Sequence, residues 1–174
     1  MTRRRLIETG LGGAALLVAA GCTRSKGSAP AFDDPQYHYA VLSAGDRAML
    51  AAIAAVMLAG ALPQTTTGVP AIVQVVRGID VAVAGLSPDV QGEVSQLFGL
   101  LEFPLTRALA AGIWSSWSDA GSDAITKFLD GWRYSGIALF RSGYQALHQL
   151  VMAAWYGNSA AWPRIGYSGP PTLS

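Results

Sequence analysis

Apolar residues that recur every three or four positions, between residues that start and stop helices, constrain the fold of this chain more than any other feature. The first such segment opens at Ser43, and Asp46 stands at the position that completes a capping box. The apolar spacing continues to Leu62-Pro63, where the proline is expected to end the helix. The sequence therefore predicts a buried helix that begins at Ser43 and continues to Leu62.

The second segment follows Pro70 and is rich in β-branched residues, so a strand is conceivable there. A helix is favoured because the apolar residues recur every three or four positions and place Arg77 and Asp80 on the far, polar side. A proline at the start of the segment also suits the first turn of a helix.

Start signals precede the later segments as well. Ser87-Pro88 opens one helix, Pro104 opens a shorter one, and Ser122 is predicted to cap a helix that continues to Asp130. The last helix is predicted to bury one face, formed by Ile137, Phe140, Tyr144, Leu147, Val151 and Ala154.

These segments predict an all-α chain, with a single helical domain of about five or six helices over residues 43–157. An extended tail that is rich in aromatic residues, proline and glycine is predicted over residues 158–174. Between the fourth and fifth helices, Trp114 and Trp117 lie in a Ser/Gly-rich loop. Packing at the edge of the core is favoured for this pair over a ligand cage.

Residues 1–21 have the three parts of an export signal. A basic stretch that includes Arg3 and Arg4 precedes an apolar run from Leu11 to Ala20, which is too short to span a membrane. The paired arginines resemble a twin-arginine signal, which exports proteins that have already folded. The mature protein is therefore expected in the periplasm.

Cys22 is the only cysteine of the chain. Because residues 18–22 resemble a bacterial lipobox, acylation of Cys22 is predicted, and it would attach the protein to a membrane surface. Ordinary cleavage near Ala20, with a free thiol at Cys22, is the alternative. Residues 22–42 are rich in Ser, Gly, Pro and Asp, and they are expected to form a tether and an extended lead into the first helix.

Composition excludes several classes of protein. The chain carries 12 basic and 11 acidic residues, so it has no basic character that favours nucleic acid. One cysteine and two histidines do not supply a disulfide framework, a c-type haem attachment site or the usual zinc ligands. Charged residues make up 13% of the chain, about half the usual fraction, which is typical of a surface that binds a partner.

No catalytic constellation is evident in the sequence. A nucleophile elbow is absent, and Cys22 belongs to the export region. The carboxylate pairs Asp33-Asp34 and Asp119/Asp123 are interpreted as solvated or helix-capping groups, and His148 as a surface or interface histidine. An enzyme in its own right is not expected, and no cofactor is expected in this chain.

The C-terminal part resembles the small subunits of membrane-bound, flavin-dependent sugar and polyol dehydrogenases, such as the gluconate 2-dehydrogenase, sorbitol dehydrogenase and fructose dehydrogenase small subunits. The resemblance covers roughly residues 130–171, and residues 40–130 match in helical character and size. Together with the twin-arginine start, it is carried by Arg141-Ser142-Gly143-Tyr144, Trp155-Tyr156-Gly157-Asn158, Ala161-Trp162 and Ile165-Gly166-Tyr167-Ser168-Gly169-Pro170-Pro171. Ser168 departs from the pattern, in which proline is common at that place.

The resemblance implies a division of labour between subunits. A catalytic subunit would bind FAD and oxidise the alcohol, and a multihaem cytochrome c subunit often passes the electrons to quinone. The small subunit would carry the export signal for the flavin subunit and stabilise it, which agrees with a route that exports folded cargo. The chain is thus expected to be a non-catalytic accessory subunit, associated with the membrane in the periplasm.

Docking to that flavin subunit is assigned to the last helix and the tail. The residues expected at the interface are Arg141, Tyr144, His148, Trp155, Tyr156, Trp162, Tyr167 and Pro170. The alternative hypothesis is a stand-alone periplasmic helical lipoprotein with a binding or structural role.

Overall fold

Six α-helices and no strand are found in the residues that the structure, a computed structural model, describes: 34, 36–63 and 70–169. The prediction of an all-α, single-domain fold is confirmed. The helices are α1 (Ala44–Met57), α2 (Ala71–Ala84), α3 (Pro88–Glu102), α4 (Pro104–Ala111), α5 (Ser122–Arg133) and α6 (Ala138–Gly157). The described residues also form two 3₁₀ helices, Trp117–Asp119 and Ser159–Ile165. The tail, which the sequence predicts to be extended, therefore begins with a helical turn.

α1 begins with the predicted capping box. The Ser43 hydroxyl accepts a hydrogen bond from the Asp46 N–H at 3.0 Å, and the Asp46 carboxylate accepts one from the Ser43 N–H at 2.9 Å. α1 ends at Met57, earlier than predicted, because Gly60 adopts a φ of 82° and turns the chain before the proline is reached.

α2 is a helix, so the strand alternative is wrong. Val75, Val76 and Ile79 are fully buried, as the helical spacing requires. The position predicted for Asp80 is also wrong: this side chain is 1% exposed and lies on the core side of α2. Its carboxylate has backbone partners from the segment before α1, which the spacing of apolar residues alone does not reveal.

The later helices begin close to where the sequence predicts. Pro88 and Pro104 are each the first residue of a helix, whereas Ser122 is the first residue of α5 and does not cap it. α5 continues to Arg133, which brings Trp132 into the core beside the predicted residues.

α1 occupies the centre and contacts α2, α3, α5 and α6. α2 and α6 form the most extensive helix pair. They approach so closely that a Cβ atom added at Gly78 would lie 2.9 Å from the Ala154 Cβ. Leu147 and Val151 lie on the buried face of α6 and are fully buried in the core. Within the described residues, no helix has both the length and the apolar character needed to cross a membrane.

Candidate docking surface

The predicted interface residues of α6 lie on different faces of that helix. Trp155 is 3% exposed and packs in the core, so it offers no surface to a partner. Arg141 is exposed and donates through Nη1 to the Ser135 carbonyl oxygen at 2.5 Å. Its position near the start of α6 leaves the rest of the guanidinium accessible.

Tyr144 and His148, one helical turn apart, stack with their ring centroids 5.8 Å apart. The Arg133 guanidinium lies 5.8 Å from the Tyr144 ring centre. Together with Asp130 of α5, these side chains line a depression of about 260 Å³ between α5 and α6. His148 is thus a half-buried stacking residue with no carboxylate or hydroxyl bound to it among the described hydrogen bonds.

The tail folds back on the end of α6. The Trp162 Nε1 donates to the Tyr156 carbonyl oxygen at 2.8 Å, and the Trp162 ring meets the Tyr167 ring edge to face at 5.3 Å. Tyr156 and Tyr167 remain about half exposed. Pro170 lies outside the described residues, as do Arg3, Arg4 and Cys22 of the export and lipidation predictions. The docking role of these residues stays a prediction.

A second set of residues, which the sequence interpretation did not assign to an interface, includes the four most exposed large apolar side chains among the described residues. We call it the apolar end surface, and it consists of Leu109, Trp114, Tyr134, Ile137 and Leu139. These five side chains are between 56% and 80% exposed. Single exposed apolar side chains are usual in monomeric proteins, whereas contiguous ones mark interaction sites.

Aromatic rings beneath this surface hold its segments together. Trp117, Phe128, Trp132 and Phe140 form a chain of contacts, with successive ring centroids 5.8, 4.9 and 5.3 Å apart. The Trp132 Nε1 also donates to the Ala110 carbonyl oxygen at 2.7 Å, which ties the end of α4 to α5. These contacts bring the end of α4, the end of α5 and the start of α6 close together.

Acidic residues are unevenly distributed along the chain. Residues 103–118 and 131–169 contain arginines, among them Arg107, Arg133 and Arg141, and not one aspartate or glutamate. The second range includes both the start of α6 and the part of α6 that lines a cleft with α2. Periodicity assigned Ile137 to the core, and the Ser/Gly-rich setting assigned Trp114 to the edge of the core. Both predictions are wrong, because the side chains are 56% and 80% exposed, whereas Trp117 is buried.

Residues 36–42, which we call the leading segment, are held against α2. The Asp80 carboxylate accepts hydrogen bonds from the N–H groups of Ala40, Val41 and Leu42 at 2.9 to 3.0 Å, and from the Tyr37 hydroxyl at 3.4 Å. Three charge-assisted bonds from consecutive backbone amides hold the segment in one conformation.

Arginines reinforce this attachment. Arg77 forms an ion pair with Asp34 and lies 5.0 Å from the centre of the Tyr37 ring. Arg47 lies 4.5 Å from the Tyr39 ring centre and donates to the Leu42 carbonyl oxygen at 3.0 Å. The point at which the chain leaves the described domain is therefore set beside α2.

A cleft of about 640 Å³ lies between α2 and α6 near this point. Its walls include Tyr37, Arg77 and Val81, and its floor is formed by small residues such as Gly78 and Ala154. The Gln74 and Asn158 side chains close one side through a 2.7 Å hydrogen bond. Tyr37, Gln74, Arg77 and Asn158 of its lining each have a polar contact within the chain.

The carboxylates considered for catalysis have structural partners. Asp34 pairs with Arg77, and Asp119 accepts a hydrogen bond from the Ser116 hydroxyl at 2.6 Å. Among the described residues, no group of three or more His, Cys, Asp or Glu side chains is placed to hold a metal ion.

Two ionisable groups have shifted pKa values. Burial raises the pKa of Tyr37, and the charge of Asp80 and the hydrogen bond to it act in the same direction. Burial also raises the pKa of Glu102, with the neighbouring negative charge of Asp46 as the second cause. Both shifts follow from packing at the start of α1.

Comparisons with protein-family models, with curated proteins and with solved structures found no match.

Proposed function

We propose that this chain is the non-catalytic small subunit of a periplasmic, membrane-associated, FAD-dependent sugar or polyol dehydrogenase complex. It acts as the export escort and stabiliser of the flavin subunit. The observation that carries the proposal is the set of large apolar side chains exposed on a rigid helical domain, which supports a role in binding another protein.

The class of partner comes from the sequence of the C-terminal part. The Arg141-to-Pro171 pattern resembles flavin dehydrogenase small subunits, and the paired Arg3 and Arg4 resemble a twin-arginine signal. Because that route exports folded proteins, one signal can serve a partner that has bound FAD before export. A multihaem cytochrome c is a further partner of the assembled complex.

The proposed division of labour fits the chemistry of the described side chains. Asp80 and Asp34, the carboxylates nearest the cleft, are bound to backbone amides and to Arg77. His148 stacks on Tyr144. The contacts of Asp80 and Asp34 hold the leading segment in place, and the contact of His148 lies within the last helix. The FAD chemistry is therefore assigned to the partner subunit.

Co-purification tests the proposal. The full chain, tagged at its C-terminus, is expressed with an FAD-dependent dehydrogenase of the same genome that lacks an export signal, and periplasmic extract is passed over the affinity resin. We expect an equimolar complex with the absorbance of bound FAD. Recovery of a monomer without flavoprotein would support a stand-alone helical lipoprotein and contradict the proposal.

A further inference from the structure

The geometry points to a copper(I) site in the depression of about 260 Å³ between α5 and α6, with Met57, His148 and Met152 as its ligands. These two thioethers and one imidazole lie outside the sets of His, Cys and carboxylate groups that hold most protein-bound zinc. The inference goes beyond the proposed function and does not depend on it, because all three ligands belong to this chain.

The three side chains come from two helices that meet at this depression. His148 and Met152 are four residues apart on α6, and residues at this spacing are neighbours on one helix face, with Cβ atoms about 5–6 Å apart. Met57 is the last residue of α1, and α1 contacts both α5 and α6. Metal sites in helical proteins are built in this way, from side chains on facing helices.

Burial and hydrogen bonding leave the three donors available to an ion. Each side chain is half-buried, so the fold restrains it and an ion can still reach it. His148 stacks on Tyr144 with ring centroids 5.8 Å apart, and this contact uses the ring face, whereas a metal ion binds a nitrogen at the ring edge. Among the hydrogen bonds of the described residues, none involves His148.

The donor types select the metal. Thioether sulfur is a soft ligand that favours Cu(I), and neutral imidazole also suits copper. Methionine has three rotatable bonds, so the two sulfur atoms can move toward a shared ion. Val56 and Leu129 add apolar walls to the depression. Such walls are less costly for a singly charged ion than for a divalent one.

Charges at the edge of the depression do not prevent the binding of a single positive charge. Arg133 and Asp130 both line the depression and are exposed, so the charge of one offsets the charge of the other. Water and salt weaken the repulsion between an exposed arginine and a bound ion. Because that repulsion is proportional to the charge of the ion, it is smaller for Cu(I) than for Zn²⁺.

Substitutions that remove a donor atom and keep the size of the side chain test the site. Met57→Leu and Met152→Leu each remove one sulfur, and an exchange of methionine for leucine is among the best tolerated in packed regions. His148→Phe removes both ring nitrogens and keeps an aromatic ring beside Tyr144. Circular dichroism checks that the helices of each variant are retained.

The controls are the other methionine of α1 and the other histidine of the chain. Met49→Leu changes a fully buried residue outside the depression, and His38→Gln changes an exposed residue of the leading segment. Because thiolates also bind Cu(I), every protein in the experiment is the full-length chain with Cys22→Ser. The chain with this change alone is the reference protein.

The measurement is the Kd for Cu(I), obtained without oxygen by competition with the coloured chelator bicinchoninate. We expect the reference protein to bind one Cu(I), each of the three variants to raise the Kd at least tenfold, and both controls to stay within twofold of the reference. The X-ray absorption spectrum of the copper-loaded reference protein should show both sulfur and nitrogen neighbours, a result that does not depend on how the variants fold.

Three results would overturn the inference. The first is a reference protein that takes no Cu(I) from bicinchoninate. The second is the same Kd in the reference protein and in all three variants, since the copper would then be held elsewhere on the chain. The third is a copper spectrum without sulfur neighbours, which would show that the thioethers are not ligands. Each of these results leaves the proposed function standing, because none involves the flavin subunit.

Discussion

Asp80 shows how one residue determines the conformation of a whole segment. Its carboxylate accepts hydrogen bonds from three consecutive backbone N–H groups before α1, of which the Leu42 N–H is buried and those of Ala40 and Val41 are partly buried. Burial of a charged group is costly unless such partners are present, and here they are supplied by the chain itself. The leading segment therefore has a fixed path although it has no regular secondary structure.

Replacing Asp80 by alanine should lower the free energy of unfolding by about 1–3 kcal/mol, because the buried Leu42 N–H loses its acceptor while the N–H groups of Ala40 and Val41 can bind water instead. Urea unfolding of the mature chain measures the loss. Asp89→Ala is the control, since Asp89 is exposed in the first turn of α3 and contributes on the order of 0.3–1 kcal/mol there. Equal losses in the two variants would contradict the role given to Asp80.

Glu102 gives a prediction with a defined pH dependence. Its raised pKa means that the folded state holds the carboxyl proton more tightly than the unfolded state does. Stability is thus lost as the pH rises through the ordinary carboxyl range toward the pKa of the folded protein. Glu102→Gln should raise the melting temperature at pH 7 and change it little near pH 4, where both states are protonated.

The matched control is Glu93→Gln on the exposed side of α3. Thermal melts at both pH values measure the effect. A lower melting temperature for Glu102→Gln than for wild type at pH 7 would show that the Glu102 carboxylate is stabilised by contacts which outweigh burial and the charge of Asp46.

Packing between the helices α2 and α6 depends on a glycine, which has no side chain, at position 78. Gly78 lies so close to α6 that an added Cβ would be 2.9 Å from the Ala154 Cβ and 3.2 Å from its Cα. The second of these atoms is backbone, so it moves only if the helix moves. Gly78 is therefore required for the closest helix contact of the core.

Gly78→Ala should destabilise the fold by about 1–3 kcal/mol, because the two helices must separate. Gly92→Ala on α3 is the control: nothing lies within 4 Å of an added Cβ, and alanine favours a helix by up to about 1 kcal/mol over glycine. Chemical denaturation of both variants measures the two effects. Stabilisation by Gly78→Ala would mean that α2 and α6 are less tightly packed than described.

Helices could be predicted from the sequence because their signals are local. The Ser43 capping box, the prolines at residues 88 and 104 and the apolar spacing of α2 act within one or two turns. The end of α1 and the burial of Asp80 could not be predicted in this way. The first depends on the conformation of Gly60, and the second on amide groups about forty positions away in the chain.

The two ends of α6 differ in their surroundings. Tyr37 of the leading segment lines the α2–α6 cleft together with Ala153 to Asn158, whereas Ile137 and Leu139 are exposed at the start of the helix. Sequence patterns alone directed attention to the aromatic tail, since aromatic residues there are dense and the resemblance is strongest. They did not distinguish Trp155, which is buried, from Trp114, which is exposed, because that difference arises from tertiary packing.

We propose that this chain exports and stabilises a flavin-dependent catalytic subunit, and the measurement that decides this is dehydrogenase activity with bound FAD in the periplasm. The flavoprotein is expressed with the wild-type chain, without the chain, and with the Arg3→Lys/Arg4→Lys variant. We expect periplasmic flavoprotein and substrate-dependent dye reduction only when the wild-type chain is present. Export of an active flavoprotein in the absence of this chain would show that the proposal is wrong.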